Sequence, residues 1–127
     1  MRVIKFRAWF PVLRKMLPVG QIDWQGDNVV YLEAGSWKAN PTQVTIMQFT
    51  GKRDRGGFDI FEGDIVHIHG DNSSIKGVVF FDPVSVAFVV HQSFGKGIAP
   101  LTGEHIVIIG NAFENANLLE EKTKFVP

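Results

Sequence analysis

His67 and His69 are the first residues in this sequence with the type and spacing for chemistry. They stand two apart in the run Asp64 to His69, and a strand turns residues i and i+2 to one face. His91 and His105 fall in later runs that can lie beside it. Zinc takes three or four ligands at about 2 Å, so the pair supplies at most half a site. No metal site is expected, and a metal-dependent enzyme stays only an alternative. The acidic set Asp54, Asp59, Glu62 and Asp64 invites a calcium loop. Its positions refuse one: with Gly57 sixth, Lys52 comes first, and with Gly56 sixth, Gly51 does, so the first ligand is missing. The same acids read more simply as turn residues that bond their own backbone. The serines lie outside a nucleophile-elbow setting, and Gly95-Lys96-Gly97 lacks the remainder of a phosphate loop. No catalytic residue and no cofactor is assigned.

Two other sets point to binding. Lys5, Arg7 and Trp9 share one face of an alternating run, and Lys52, Arg53 and Arg55 crowd one loop near Phe58 and Phe61. A basic groove with aromatic platforms is how small β modules hold single strands. The six residues Lys5, Arg7, Trp9, Lys52, Arg53 and Arg55 are therefore the candidate nucleic-acid contacts. Phe58, Phe94 and Phe125 sit among turn residues or in the tail. They are the candidate interface, since aromatics concentrate at interface centres.

The chain around these residues has 127 positions, 13 basic and 13 acidic side chains and no cysteine. Its length fits one ordinary domain. Zero formal charge argues against binding ruled by general phosphate attraction, and the lack of cysteine removes disulfides and thiolate sites. The longest apolar runs are four or five residues, as at Val86 to Val90, whereas a membrane helix needs about 20. With no apolar signal segment at the N-terminus, a cytoplasmic protein without a membrane partner is expected.

The apolar residues fix the class. There are 15 Val, 11 Ile and 11 Phe against 6 Leu, with 13 Gly and 6 Pro spread between them. Cβ branching and flat rings favour strands, and the breakers leave room only for short ones. Strands are expected at Val3 to Trp9, Asn28 to Glu33, Gln43 to Phe49, Asp64 to His69 and Glu104 to Ile109. Ile75 to Phe81 and Ser85 to His91 read as a hairpin around Asp82-Pro83. Gly35 to Pro41 and Ser93 to Pro100 read as loops, Gly51 to Asp64 as a turn-rich connection, and Glu114 to Lys122 as a short helical tail. The expectation is a mainly β, single barrel-like or sandwich-like domain of short, mostly antiparallel strands, with a short C-terminal helical segment.

Three segments then resemble one family. The first is Ile4-Lys5-Phe6-Arg7-Ala8-Trp9 followed by Lys15-Met16. The second is Met47-Gln48-Phe49-Thr50-Gly51 with Asp54, Gly57 and Ile60-Phe61-Glu62-Gly63-Asp64-Ile65-Val66. The third is Ile109-Gly110-Asn111-Ala112-Phe113-Glu114-Asn115, closing on Leu118-Leu119. Together they resemble the YopX family of phage and prophage proteins, at 4–16, 47–66 and 109–119, and imply one YopX-like domain over residues 1–127. Phe10 stands where the family often has Asp, Lys52 where it tends to have Leu, and Phe58 where it has a polar residue. The resemblance implies a mainly β protein of a mobile element and brings no catalytic residue. Gly51, Asp54, Glu62, Gly63, Asp64, Gly110, Asn111, Glu114 and Asn115 carry it, and turn and cap chemistry accounts for them. The function expected is a non-enzymatic binding or assembly module. Its partner would be a second copy of itself or another phage or host protein. A small nucleic-acid-associated β module is the alternative.

Overall fold

The structure, a computed structural model, describes residues 2–103 and 105–119. It is mainly β, with two antiparallel sheets, neither closed into a barrel. The chain forms two compact units that divide between Phe49 and Thr50.

In the first unit, β1 (Phe6–Phe10), β2 (Lys15–Gln25), β3 (Asn28–Ala34), β4 (Trp37–Ala39) and the beginning of β5 (Thr45–Arg53), whose end from Thr50 on belongs to the second unit, hydrogen-bond in the order β4-β3-β2-β1-β5. Alternation builds its core: Ala8 and Phe10 from β1, Leu32 and Ala34 from β3, and Ala39 from β4 are buried together, with Leu17, Ile22 and Ile46 against them. Phe10 is therefore a core residue. Gly26 and Gly35, both at φ 63°, turn the chain between β2 and β3 and between β3 and β4, a conformation glycine adopts without a Cβ penalty. The other face of β1 is partly covered. Arg7 faces Met47 in register, Met47 and Phe49 are buried, and Lys5, Arg7 and Trp9 are all half-buried. Period two separates two faces without saying which one is covered.

In the second unit, β6 (Asp59–Phe61) pairs with the far end of β5. The strands β7 (Asp64–His69), β8 (Ser74–Asp82), β9 (Ala87–Gln92), β10 (Ile98–Pro100) and β11 (Ile106–Asn111) form a sheet in the order β10-β9-β8-β7-β11. Ile60, Val66, Ile68, Val79, Val90, Leu101 and Ile106 make its core.

Several elements differ from the sequence reading. The first strand begins at Phe6 rather than Val3, and Val3 and Ile4 are exposed. Trp37–Ala39 and Ile98–Pro100, expected in loops, are strands: β4 pairs with Leu32 to Ala34 and β10 with Val89 to His91. Three residues carry no readable period, so only the neighbouring strand defines them. The turn-rich connection contains the end of β5 and all of β6, joined where the Thr50 hydroxyl donates to the Ile60 carbonyl at 2.8 Å. The C-terminal helical segment is a 3-10 turn at Ala116–Leu119; of the expected helix, Glu114 and Asn115 belong to the non-helical turn before it, and residues 120–122 lie outside the described residues. Among the described residues no helix is long and apolar enough to cross a membrane.

Candidate functional site

The second unit carries a cleft of about 270 Å³ on the β7–β8–β9 sheet. β7 contributes His67, β8 contributes Ser74 and Lys76, and β9 ends in Gln92. A 3-10 turn at Ser93–Gly95 and the residue after it add Ser93, Phe94 and Lys96. Pairing assembles the strand residues, since His67 lies opposite Lys76 and His69 opposite Ser74. His67 Nε2 and Ser74 Oγ stand 3.0 Å apart, a hydrogen bond in either tautomer. The rings of His67 and His69 lie 4.0 Å apart.

Burial lowers the His67 pKa from its ordinary 6.5, and the neighbouring His69 and Lys76 charges lower it further. Both effects favour the neutral ring. A neutral imidazole beside a serine is half of a nucleophilic dyad, but none of the described side chains lining the cleft is acidic. Among the described lining residues no carboxylate orients the ring. Gln92, Ser74, Ser93, Lys76 and Lys96 make the lining one of donors and cations.

The rim is built firmly. The Gln92 N–H donates to the Gly97 carbonyl at 2.8 Å, the Gln92 amide donates to the Lys96 carbonyl at 3.2 Å, and the Ser93 hydroxyl donates to the Lys76 carbonyl at 3.3 Å. Gly77 lets β9 come close, for a Cβ there would stand 2.1 Å from the His91 carbonyl oxygen. Sequence reasoning passed over Lys76 and Gln92, and set Ser93 and Lys96 aside for want of a nucleophile elbow and of a full phosphate loop. The one local signal was Phe94-Gly95-Lys96-Gly97, an aromatic and a lysine held among glycines.

The residues singled out from sequence go to other places. Lys5 puts its ammonium over the Phe49 ring, 5.0 Å from the centroid, and Arg7 and Trp9 follow it along the same face of β1. In the second unit, Arg53 Nε donates to Asp59 Oδ1 at 2.9 Å as an ion pair. Lys52 is half-buried and Arg55 exposed. Phe58 is 68% exposed, Phe94 stands at the cleft, and Phe125 lies outside the described residues. His91 packs on Phe80 with centroids 5.8 Å apart, and the exposed His105 accepts the His69 N–H through its carbonyl. Among the described residues no three His, Cys, Asp or Glu side chains gather to hold a metal ion.

The residues carrying the family resemblance have visible structural work. Gly51 and Gly63 sit at φ 90° and 87°. Gly63 donates to Val79 and accepts from Ala112, both at 2.8 Å. Buried Asp64 accepts the Phe61 N–H at 2.8 Å, and half-buried Glu62 lies within the turn this bond closes. Asp54 Oδ1 accepts the N–H groups of Gly56 and Phe58, and its Oδ2 accepts that of Ile108 at 3.1 Å. With Arg55 donating to the Ile106 carbonyl, this loop covers the outer edge of β11, an edge otherwise open to stray pairing. Asn111 accepts from Phe113 and Glu114 and donates to the Glu114 carboxylate, while Asn115 accepts the Asn111 N–H. That asparagine crowds Gly110, where a Cβ would meet it at 2.7 Å.

Comparison with known proteins agrees with this architecture. A family model described as YopX protein matches residues 5–120. No curated protein matches the chain. The crystal structure of protein EF1440 from Enterococcus faecalis is similar, with a TM-score of 0.66 and 23% identity over 94% of this chain and 100% of that one. At that identity the likeness concerns the fold.

Proposed function

The chain belongs to the YopX family, and we propose that it works as a non-enzymatic binding module whose site is the β7–β8–β9 cleft and whose ligand is an anion. The supporting observation is the lining: Lys76 and Lys96 among amide and hydroxyl donors, with no acidic side chain among the described lining residues. Two ammonium groups hold phosphate-like oxygens through charge-assisted hydrogen bonds. They provide no base–nucleophile–acid relay. Titration with inorganic tripolyphosphate at fixed ionic strength tests the reading. Saturable binding is expected, and Lys76→Ala combined with Lys96→Ala should abolish it while circular dichroism stays unchanged. Equal binding by that folded variant overturns the reading. Ester hydrolysis lost in Ser74→Ala would overturn its non-enzymatic part.

Self-association is a second, separate proposal, resting on the first unit. Val12, 94% exposed, and Trp37, 46% exposed, line an apolar groove of about 210 Å³ with Phe10 and Leu13. Zero formal charge leaves no net repulsion between copies, so the occupant proposed is a second copy of this chain. Sedimentation at high micromolar concentration is expected to show a dimer, and Val12→Lys a monomer. A monomer throughout overturns it.

A further inference from the structure

Phe94 gives the cleft a feature that simple anion capture does not use. Its backbone sits at φ 62°, ψ 34°, the left-handed region, where a bulky residue is an outlier. Glycines follow it at φ 72° for Gly95 and 84° for Gly97. The turn could have placed glycine at this position too, yet it holds an aromatic ring, 47% exposed, at the rim of a cleft whose other walls are polar. Strained backbone of this kind concentrates at ligand clamps. The turn that presents the ring is closed by hydrogen bonds from Gln92 to Gly97 and Lys96.

Around it, the charges are available. Among the described residues neither the Lys76 nor the Lys96 ammonium has an acidic partner. Gln92 and Ser93 are engaged in bonds to the main chain, so the two lysines are the groups left to meet an incoming charge. A ligand that satisfies the whole cleft therefore needs a flat apolar face for Phe94 and a phosphate for Lys76 and Lys96. A nucleotide unit has both: aromatic stacking is tolerant of base identity, and the basic groups follow the phosphate. About 270 Å³ is small for a fully enclosed drug-sized ligand, so one unit held at an open surface fits better than an engulfed one.

We infer that the cleft binds a nucleotide unit, its base stacked on Phe94 and its phosphate between Lys76 and Lys96. This rests on the anion-binding reading above and adds the base. The source of the unit is either a free nucleotide or a single strand.

Anisotropy and competition titrations test it with three probes: a short thymidine oligonucleotide, an abasic oligonucleotide of the same length, and thymidine monophosphate. The base-bearing strand should bind about five-fold or more tighter than the abasic one. Phe94→Gly, which also relieves the positive φ and so keeps the fold, should erase that difference and leave abasic binding intact. Phe94→Trp should restore it. A strand that outcompetes the monophosphate marks nucleic acid as the source, and equal affinity marks free nucleotide; either supports the inference. Equal binding of base-bearing and abasic strands overturns the inference and leaves anion binding standing. No binding of any probe, tripolyphosphate included, overturns both.

Discussion

At Asp54 one carboxylate meets three main-chain N–H groups, two within its own turn and one on β11. Partial burial pushes its pKa up, but the hydrogen bonds from the Phe58, Ile108 and Gly56 N–H groups outweigh this and hold it below the ordinary 3.8. A carboxyl depressed in the folded chain adds stability above 3.8 and loses it as pH falls below 3.8 toward the folded value. Asp54→Asn should therefore cost about 1–3 kcal/mol at pH 7 and show a smaller further loss in acid. Urea midpoints across pH 2 to 7 check this. His67 has the same sign of shift for another reason. Its neutral form is favoured by burial and by the nearby His69 and Lys76, so stability is greatest above 6.5 and declines as pH falls below 6.5 toward the lowered folded value. Protonation also brings positive charge into the cleft. Oligonucleotide affinity should then rise below pH 6.5, and His67→Gln should reduce the rise. The pair His67 and His69 was visible in sequence as a one-faced pair. That it meets Ser74 and Lys76 was not, because register with β8 decides it.

Among the elements, the hairpin of β8 and β9 was the most legible, and it carries Ser74, Lys76 and Gln92 of the site. Asp82 closes it, accepting the Ser85 hydroxyl at 2.7 Å and the Val84 and Ser85 N–H groups, as an Asp before Pro at a turn should. Val86 in the same turn sits at φ 54°, which a β-branched residue resists. Val86→Gly should raise stability by about 1 kcal/mol, read as a shift in thermal midpoint. Gly77 is the opposite case. Its Cβ would run into the β9 main chain at 2.1 Å, and main chain cannot yield as the tip of a side chain can. Gly77→Ala is expected to cost about 1–3 kcal/mol and to weaken ligand binding at Gln92 and Lys96; chemical denaturation with the oligonucleotide titration measures both. The strands β4 and β10 escaped notice because three residues show no alternation, and their hydrogen bonds exist only beside β3 and β9.

For the whole molecule, equal numbers of acidic and basic side chains leave no global field to draw in a polyanion, so any nucleic-acid affinity must be local and shallow in salt. Contact through Lys76 and Lys96 alone gives a slope of log K against log salt of about −1.4 for a single strand. Contact through the five cations Lys5, Arg7, Lys52, Arg53 and Arg55 would give about −3.5. The shallower value is expected, since Arg53 already pairs with Asp59 and Lys5 lies over Phe49. Binding isotherms from low to moderate salt separate the two.

Composition and period were enough to determine a mainly β chain of short antiparallel strands, because Cβ branching, ring shape and the spacing of glycines act locally on each residue's backbone. The family followed from motifs whose glycines and acids make turns, which are local as well. Which face of β1 is covered, which strands are only three residues long, and that Lys76, Phe94 and Lys96 meet beside His67 were decided by strand pairing. Pairing joins residues far apart in the chain, and a one-residue change of register would turn each of these side chains to the opposite face.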